Sequence, residues 1–242
     1  MEEAKLFLEI INKIIDIFKD FGIIKKQKYL YIQEEDMKID CYEFLKQITK
    51  INTILIPLRY ISSYYIDDKD YFENHNFEAR CTTENFSYYE FTIVSTFLKK
   101  YDDEFECFGY DLVNNPNVKI RPKLISHDSF AKRLLLQLNK TLNKNDILKI
   151  RLEYKSYGSM SSNKRYIIQS FNYRKIELSE YNISLKFVDK VPDNIRVYEI
   201  NPFNNTYNFL YKIFPNSDDC TVFVDKNNGK NIRKHNKYIY VF

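Results

Sequence analysis

Glycine is so scarce and so scattered in this chain that the common phosphate-binding loops cannot form. The four glycines are Gly22, Gly109, Gly158 and Gly229, and each lies tens of residues from the next. Dinucleotide-binding and P-loop motifs need two or more glycines within about eight residues, because the backbone must approach the phosphates closely. Both motifs are therefore excluded, and strand-borne side chains would have to hold any nucleotide.

The length and composition fit one large globular domain or two small ones. Of the 242 residues, 44% are hydrophobic and 29% are charged, which excludes the disordered, collagen-like and disulfide-scaffold classes. The 37 Lys and Arg against 33 Asp and Glu give a formal net charge of +4. Because both signs are spread along the chain, this balance allows a nucleic-acid-binding face without indicating one.

The sequence predicts an intracellular protein that does not interact with membranes. The longest apolar run, residues 53–58, is far shorter than the roughly 20 residues that span a bilayer. The chain opens with one methionine and two glutamates, which is acidic where a signal peptide is basic. The four cysteines have no CxxC spacing and predict reduced, buried thiols. They are Cys41, Cys81, Cys107 and Cys220.

Two amphipathic helices are predicted in an N-terminal helical region, residues 1–52. In the first, over residues 3–20, apolar side chains recur at helical spacing, and Gly22 follows its end. The second spans residues 40–51, and a short strand at 28–33 separates the two. Such a pair favours a structural or partner-docking role over a catalytic one.

Residues 53–242 are predicted to form a β-rich α+β domain, with the whole chain as one continuous globular unit an alternative. One helix is expected there, over residues 128–142, with Asp128 or Ser129 as its cap. The predicted fold class is therefore α+β, with N-terminal helices packed on mostly antiparallel sheets. The apolar stripe of the 128–142 helix is Phe130, Leu134, Leu135 and Leu138. Strands are predicted at 53–60, 77–82, 86–96, 105–112 and 118–120.

The C-terminal part is predicted to form successive hairpins. Short runs rich in β-branched and aromatic residues alternate there with turn-forming segments that contain Gly, Pro, Asn and Asp. The predicted pairs are 147–157 with 165–173, 183–188 with 195–200, and 221–224 with 238–242.

Several groups of reactive residue types have a simpler structural explanation. The three histidines show no HxH or HExxH spacing, so a histidine metal cluster is not indicated. Residues 126–129 contain the types of a catalytic triad, but neighbours in sequence cannot converge, and a capped helix start explains them. Glu104 and Glu106 alternate on a predicted strand as metal-binding carboxylates do. The sequence has no second strand with this Glu-x-Glu spacing to supply further ligands, so a solvated strand face is favoured.

The most informative segment is the strand that ends at Glu199, Asn201 and Pro202. The two-residue spacing puts the Glu199 carboxylate and the Asn201 amide oxygen on one strand face. Two such oxygens can hold Mg²⁺ that bridges nucleotide phosphates, and the proline ends the strand. An Asn-Pro-Phe sequence also makes an ordinary strand-ending turn, so both interpretations stay open.

The surroundings of this segment resemble the ATP-grasp superfamily, and within it the cell-division-cycle assembly factors of eukaryotic translation initiation factor two. The similar features are a hairpin before Glu199, then Asn201-Pro202-Phe203 and Thr206. Upstream, residues 150–154 are similar to the family strand whose arginine reaches the nucleotide phosphates, and residues 166–173 to the strand that pairs with it. The resemblance is specific between residues 150 and 210.

The resemblance implies ATP and Mg²⁺ as cofactors and a protein as partner. It implies that Arg151 contacts phosphates, that Lys123 or Lys186 adds a point charge, and that Glu199 and Asn201 hold the metal. Lys186 stands where the family places a second metal-binding aspartate. A cation there repels Mg²⁺ or pairs with phosphate directly, so nucleotide binding is altered or lost even where the fold is kept.

Two functions from different classes follow. The first is a divergent ATP-grasp-like protein that binds ATP, Mg²⁺ and a protein partner, as an assembly factor or an ATP-dependent ligase. The second is a noncatalytic interaction module from a virus or another A+T-rich genetic element, which binds a protein or single-stranded nucleic acid. Interleaved tyrosines and cations at residues 154–157 and 164–166 motivate the second, although solvated strand edges produce the same pattern.

Overall fold

The computed structural model describes residues 29–32, 37–40, 51–67, 69–94, 105–127, 131–156, 166–188, 190–201, 206–216, 220–226 and 232–242. The chain divides into two compact units, Met1–Lys46 and Gln47–Phe242. In the first unit, β1 (Tyr29–Ile32) and β2 (Met37–Asp40) pair antiparallel, which confirms the strand predicted at 28–33. The helices predicted at 3–20 and over most of 40–51 lie outside the described residues.

The described part of the second unit is built from strands. In chain order they are β3 (Leu55–Ile66), β4 (Tyr71–Cys81), β5 (Phe86–Val94), β6 (Phe105–Asp111), β7 (Asn115–Ile120), β8 (Lys123–His127), β9 (Ala131–Leu142), β10 (Ile147–Ser156), β11 (Tyr166–Ser170), β12 (Glu180–Phe187), β13 (Ile195–Asn201), β14 (Thr206–Ile213), β15 (Thr221–Asp225) and β16 (Lys237–Val241).

These strands form three sheets. The largest has seven strands in the order β15-β12-β3-β4-β10-β6-β7, the second has four in the order β11-β16-β13-β14, and the third has three in the order β5-β9-β8. Neighbouring strands are antiparallel except β12 and β3, which run parallel. A parallel pair needs a long crossover, and here the whole stretch between β3 and β12 in the chain supplies it.

One face of the seven-stranded sheet packs against both smaller sheets. On β4 every second side chain is buried, which is the period of a strand with one face in the core. Phe77 of β4 lies 5.6 Å, ring centroid to centroid, from Tyr89 of the three-stranded sheet. The Tyr181 hydroxyl of β12 is 2.8 Å from that of Tyr240 in the four-stranded sheet. Buried aromatic rings therefore join all three sheets into one core.

Gly109 of β6 allows the three-stranded sheet to approach closely. A Cβ at this position would lie 2.4 Å from Cδ1 of Leu136 on β9, well inside van der Waals contact. Leu136 itself is fully buried. The glycine is thus required by packing at this crossing of two sheets rather than by a ligand.

The helix predicted over 128–142 is wrong, because residues 131–142 form strand β9. The buried side chains of β9 follow a period of two, whereas the predicted helical stripe included Leu135, which is only half-buried. Three consecutive leucines fit both periods, and the sequence alone does not separate them. The buried residues of β9 are Lys132, Leu134, Leu136, Leu138 and Leu142.

The α+β fold class is also wrong, since the regular elements in the described ranges are all strands and include no helix. The predicted ATP-grasp-like hairpins do not form either. Strand β11 pairs with β16 rather than with β10, and β12 and β13 belong to different sheets. Within these ranges no helix is long and apolar enough to span a membrane.

Candidate functional site

The seven-stranded sheet has a second, solvent-facing side, here called the outer face. It consists of the side chains that alternate with the buried ones on β15, β12, β3, β4, β10 and β6. Most of them are half-buried, and most are charged, amide, hydroxyl or aromatic groups, with a few aliphatic side chains such as Ile61 among them. An antiparallel sheet with one face in the core typically has such a polar opposite side, so function must be argued from its particular groups.

One end of the outer face carries a row of ion pairs across four strands. Arg59 Nε lies 2.5 Å from Glu180 Oε2, and Arg59 Nη1 lies 3.6 Å from Glu78 Oε1. On the other side, Lys149 Nζ is 3.2 Å from Glu78 Oε2. The hydrogen bond to Glu180 and its charge raise the pKa of Arg59 further above its ordinary value. The charges of this row are therefore mutually compensated.

Arg151 is held in a second polar group on the outer face. Its Nε lies 3.2 Å from Glu153 Oε1, and its guanidinium carbon lies 4.2 Å from the centroid of the Tyr110 ring. The Tyr110 hydroxyl donates a hydrogen bond to Glu153 Oε2 at 2.9 Å. The predicted phosphate-binding arginine is thus engaged by a carboxylate and a ring of its own sheet.

Three lysines are placed over aromatic rings on the same side of the sheet. Such contacts join a cation to the negative face of a ring. Among the described residues, none of the three lysines forms an ion pair with a carboxylate. Tyr65 is 40% exposed and Phe223 is 56% exposed, so these rings offer surface to a partner. The three Nζ-to-centroid distances are 3.7 Å for Lys119 and Phe108, 5.4 Å for Lys186 and Tyr65, and 5.2 Å for Lys226 and Phe223.

The residues predicted to bind nucleotide phosphates do not share one place. Arg151 and Lys186 both lie on the outer face, but three inter-strand intervals and four residues of register separate them, roughly 20 Å between Cα atoms. Lys123 lies on β8 of the three-stranded sheet and is exposed. The structure therefore distributes these three cations over two sheets.

The predicted metal ligands lie together on β13, in the four-stranded sheet. Glu199 is buried and accepts hydrogen bonds from the Tyr238 hydroxyl at 2.9 Å and from Arg233 Nη1 at 3.3 Å. Asn201 is the last residue of the strand, is half-buried and pairs with Thr206. Glu199 and Tyr238 point into the core, on the opposite side of the seven-stranded sheet from Arg151. Binding of ATP and Mg²⁺ stays a prediction.

The core contains a buried polar group that sequence reasoning did not identify. The Ser62 hydroxyl donates to Glu73 Oε1 at 2.7 Å, and Ser62 Oγ lies 2.7 Å from His75 Nδ1. Gln169 of the opposite sheet bonds to the Tyr64 hydroxyl beside them. All of these side chains are buried. Serine stands between the acid and the histidine, so this is not the order of a nucleophile, base and orienting acid.

Burial shifts both titratable members of this group toward their neutral forms. It raises the pKa of Glu73 to about 7, with hydrogen bonds from Ser62, Tyr64 and Gln169 opposing part of that shift. Burial lowers the pKa of His75 to about 3. The sequence contains one indication of this group. Glu73 and His75 stand at alternate positions of β4 that face the core, where side chains are usually apolar.

Nowhere in the described ranges do three or more His, Cys, Asp or Glu side chains gather as a metal site would require. Among the described residues, a cavity of about 200 Å³ is formed by the end of β12, the loop that follows it and Phe242. Its lining residues are Phe187, Lys190, Pro192, Asp193 and Phe242.

Comparison with known proteins shows no family for this chain. No family model matches it, and no curated protein matches it. Among solved structures it is similar to a mutant M1 zinc metallopeptidase from Deinococcus radiodurans, at 8% identity and a TM-score of 0.34. The same enzyme with a Tyr-Ser-Ala substrate gives 8% and 0.35, and a two-domain M1 zinc metallopeptidase mutant bound to L-tryptophan gives 7% and 0.35.

These structural likenesses cover 79% of this chain. They span only 39% of the first two metallopeptidase chains and 40% of the third. TM-scores of this size do not establish a common fold or activity.

Proposed function

We propose that the chain is a noncatalytic interaction module that binds an anionic macromolecule through the outer face of its seven-stranded sheet. The observation that carries this proposal is the set of three lysines held over aromatic rings, Lys119, Lys186 and Lys226. The acids of the outer face that pair with Arg59, Lys149 and Arg151 neutralise those cations. The three lysines then contribute an excess of positive charge.

The arrangement of the other reactive groups supports binding rather than catalysis. The Ser62, Glu73 and His75 group is buried in the core, where a substrate would have to separate the sheets. Glu199 already accepts bonds from Tyr238 and Arg233. The groups that face solvent are instead cations and rings on a broad sheet surface, which are typical of recognition.

Retention on immobilised heparin, a flexible polyanion, tests this proposal. We expect the wild-type chain to be retained at low salt and to elute as salt rises, because screening weakens contacts between exposed charges. A triple variant with Lys119→Gln, Lys186→Gln and Lys226→Gln is expected to elute at clearly lower salt.

The matched control carries Lys140→Gln, Lys144→Gln and Lys190→Gln, which removes three exposed lysines that lie off the outer face. Its net charge equals that of the first triple variant, so the pair separates position from total charge. Flow-through of the wild-type chain at low salt would refute the proposal, and so would equal elution of the two triple variants.

A further inference from the structure

The aromatic rings of the outer face form a path that crosses the strands. Phe223 lies on β15, Tyr65 and Phe72 lie on the adjacent central strands β3 and β4, and Phe108 lies on β6. The Tyr65 and Phe72 rings are 5.7 Å apart between centroids. Two inter-strand intervals separate β15 from β3, and two more separate β4 from β6. The rings thus divide a width of about 24 Å into steps of about 10, 5 and 10 Å.

The register places these rings in two adjacent rows of the sheet. Phe223 and Phe108 belong to one row, which runs through Ser184, Ser63, Asn74 and Glu153. Tyr65 and Phe72 occupy the next row, two residues from Ser63 and Asn74 on the same two strands. The path is therefore a shallow arc, with hydroxyl and amide groups between most of the rings, and the Ser184 and Ser63 hydroxyls are 3.0 Å apart. The Glu153 carboxylate, which pairs with Arg151, lies beside Phe108.

We infer that this path binds single-stranded nucleic acid, with bases stacked on the rings and phosphates beside the lysines; the inference rests on the proposed function. Each of Phe108, Tyr65 and Phe223 has a lysine within 5.4 Å of its centroid, so three of the four rings of the path have a phosphate-attracting charge beside them. Sequence-tolerant single-strand sites combine these two elements. Hydroxyl and amide groups between the rings can bond to base edges.

The same geometry selects an unpaired strand over a duplex. In a duplex the faces of the bases are covered by their neighbours, so rings on a sheet surface have nothing to stack on. A width of about 24 Å accommodates a few nucleotides, at the lower end of the roughly 4–16 nucleotides that known single-strand modules cover. A protein partner would not require a ring at each step.

The test measures fluorescence anisotropy of labelled oligothymidylate of about 15 nucleotides, a length within that range. The same measurement is made with an abasic oligomer of equal length and with a duplex. We expect tighter binding of oligothymidylate than of either competitor. Tyr65→Leu and Phe223→Leu are each expected to weaken it on the order of tenfold, as the loss of one stacked base does.

Tyr88→Leu is the matched control, because Tyr88 is 48% exposed but lies on β5 of the three-stranded sheet. Its affinity should equal that of the wild-type chain, and all three variants should remain folded, with a cooperative urea transition. Equal binding of the abasic and normal oligomers, preference for the duplex, or unchanged affinity of the two outer-face variants would overturn the inference. Heparin retention would still stand in those cases, so failure of the inference is distinguishable from failure of the proposed function.

Discussion

The two faces of the seven-stranded sheet are made by alternate residues of the same strands, but they differ in every contact they make. On β4, Phe77 packs in a core of rings, while Phe72 lies on the outer face against Tyr65. Polar groups differ in the same way: Glu73 is buried and its pKa is raised, whereas Glu78 neutralises cations at the surface. One strand thus carries the fold on one side and the candidate site on the other.

The largest effect expected is on the free energy of unfolding when a core ring is removed. Phe77→Ala should lower it by about 3–5 kcal/mol, because Phe77 is 1% exposed and its loss leaves a cavity. Phe72→Ala on the outer face should cost about 1 kcal/mol, the value of a cross-strand aromatic pair. Urea unfolding of both variants checks this, and equal losses would contradict the division between faces.

The buried carboxyl predicts a pH dependence of stability. The pKa of Glu73 is about 7 when folded and 4.5 as its ordinary value, so the folded state binds its proton more tightly. The contribution of Glu73 is therefore present below pH 4.5 and is lost as pH rises to 7. The difference in unfolding free energy between wild type and Glu73→Gln should fall by about 3 kcal/mol across this window.

Urea titrations of both chains at several pH values measure that difference. His75 acts in the opposite direction, because burial lowers its pKa and its contribution is lost as pH falls below 6.5. His75 is present in both chains, so its effect largely cancels in the comparison. A difference that stays constant between pH 4.5 and 7 would show that Glu73 is not held in this buried environment.

A smaller effect is expected where the sheets approach most closely. Gly109→Ala should destabilise by about 1 kcal/mol, since the added Cβ collides with the end of the Leu136 side chain, which can shift. Thermal unfolding provides the check, with Gly109→Ala made once in the wild-type chain and once in a Leu136→Ala background. The added Cβ should be tolerated once the leucine is shortened, and an unchanged cost would rule out this contact as the cause.

The smallest effect is expected for the ion-pair row of the outer face. Glu180→Gln should change the free energy of unfolding by less than about 1 kcal/mol, because Arg59 and Glu180 are both partly exposed. High salt should reduce even this difference. A loss as large as that of Phe77→Ala would mean that the outer face also holds the fold together.

Strands in the second unit could be predicted where the apolar residues fit only the strand period and turn-forming residues bounded the segment. Residues 86–96, 105–112 and 147–157 were predicted as strands and correspond to β5, β6 and β10. The 128–142 segment was predicted as a helix instead of a strand, because a run of leucines satisfies both the helical and the strand period. Local pattern is therefore informative only when it excludes the other period.

Strand pairing and the candidate site could not be predicted, because both depend on contacts between distant parts of the chain. Strand β16 inserts between β11 and β13, and no local signal at residues 237–241 indicates either neighbour. Ser62 meets His75 only through the register of β3 and β4. The resemblance to ATP-grasp proteins rested on the order of motifs along the chain. In the fold, Arg151 and Glu199 belong to different sheets.

The division between the two faces is tested most directly by lysine acetylation with and without heparin, quantified by mass spectrometry. Lys119, Lys186 and Lys226 should be protected by the polyanion, while the exposed Lys140 and Lys144 should react at unchanged rates. Protection that is equal at all five lysines, or confined to the last two, would contradict the assignment of binding to the outer face.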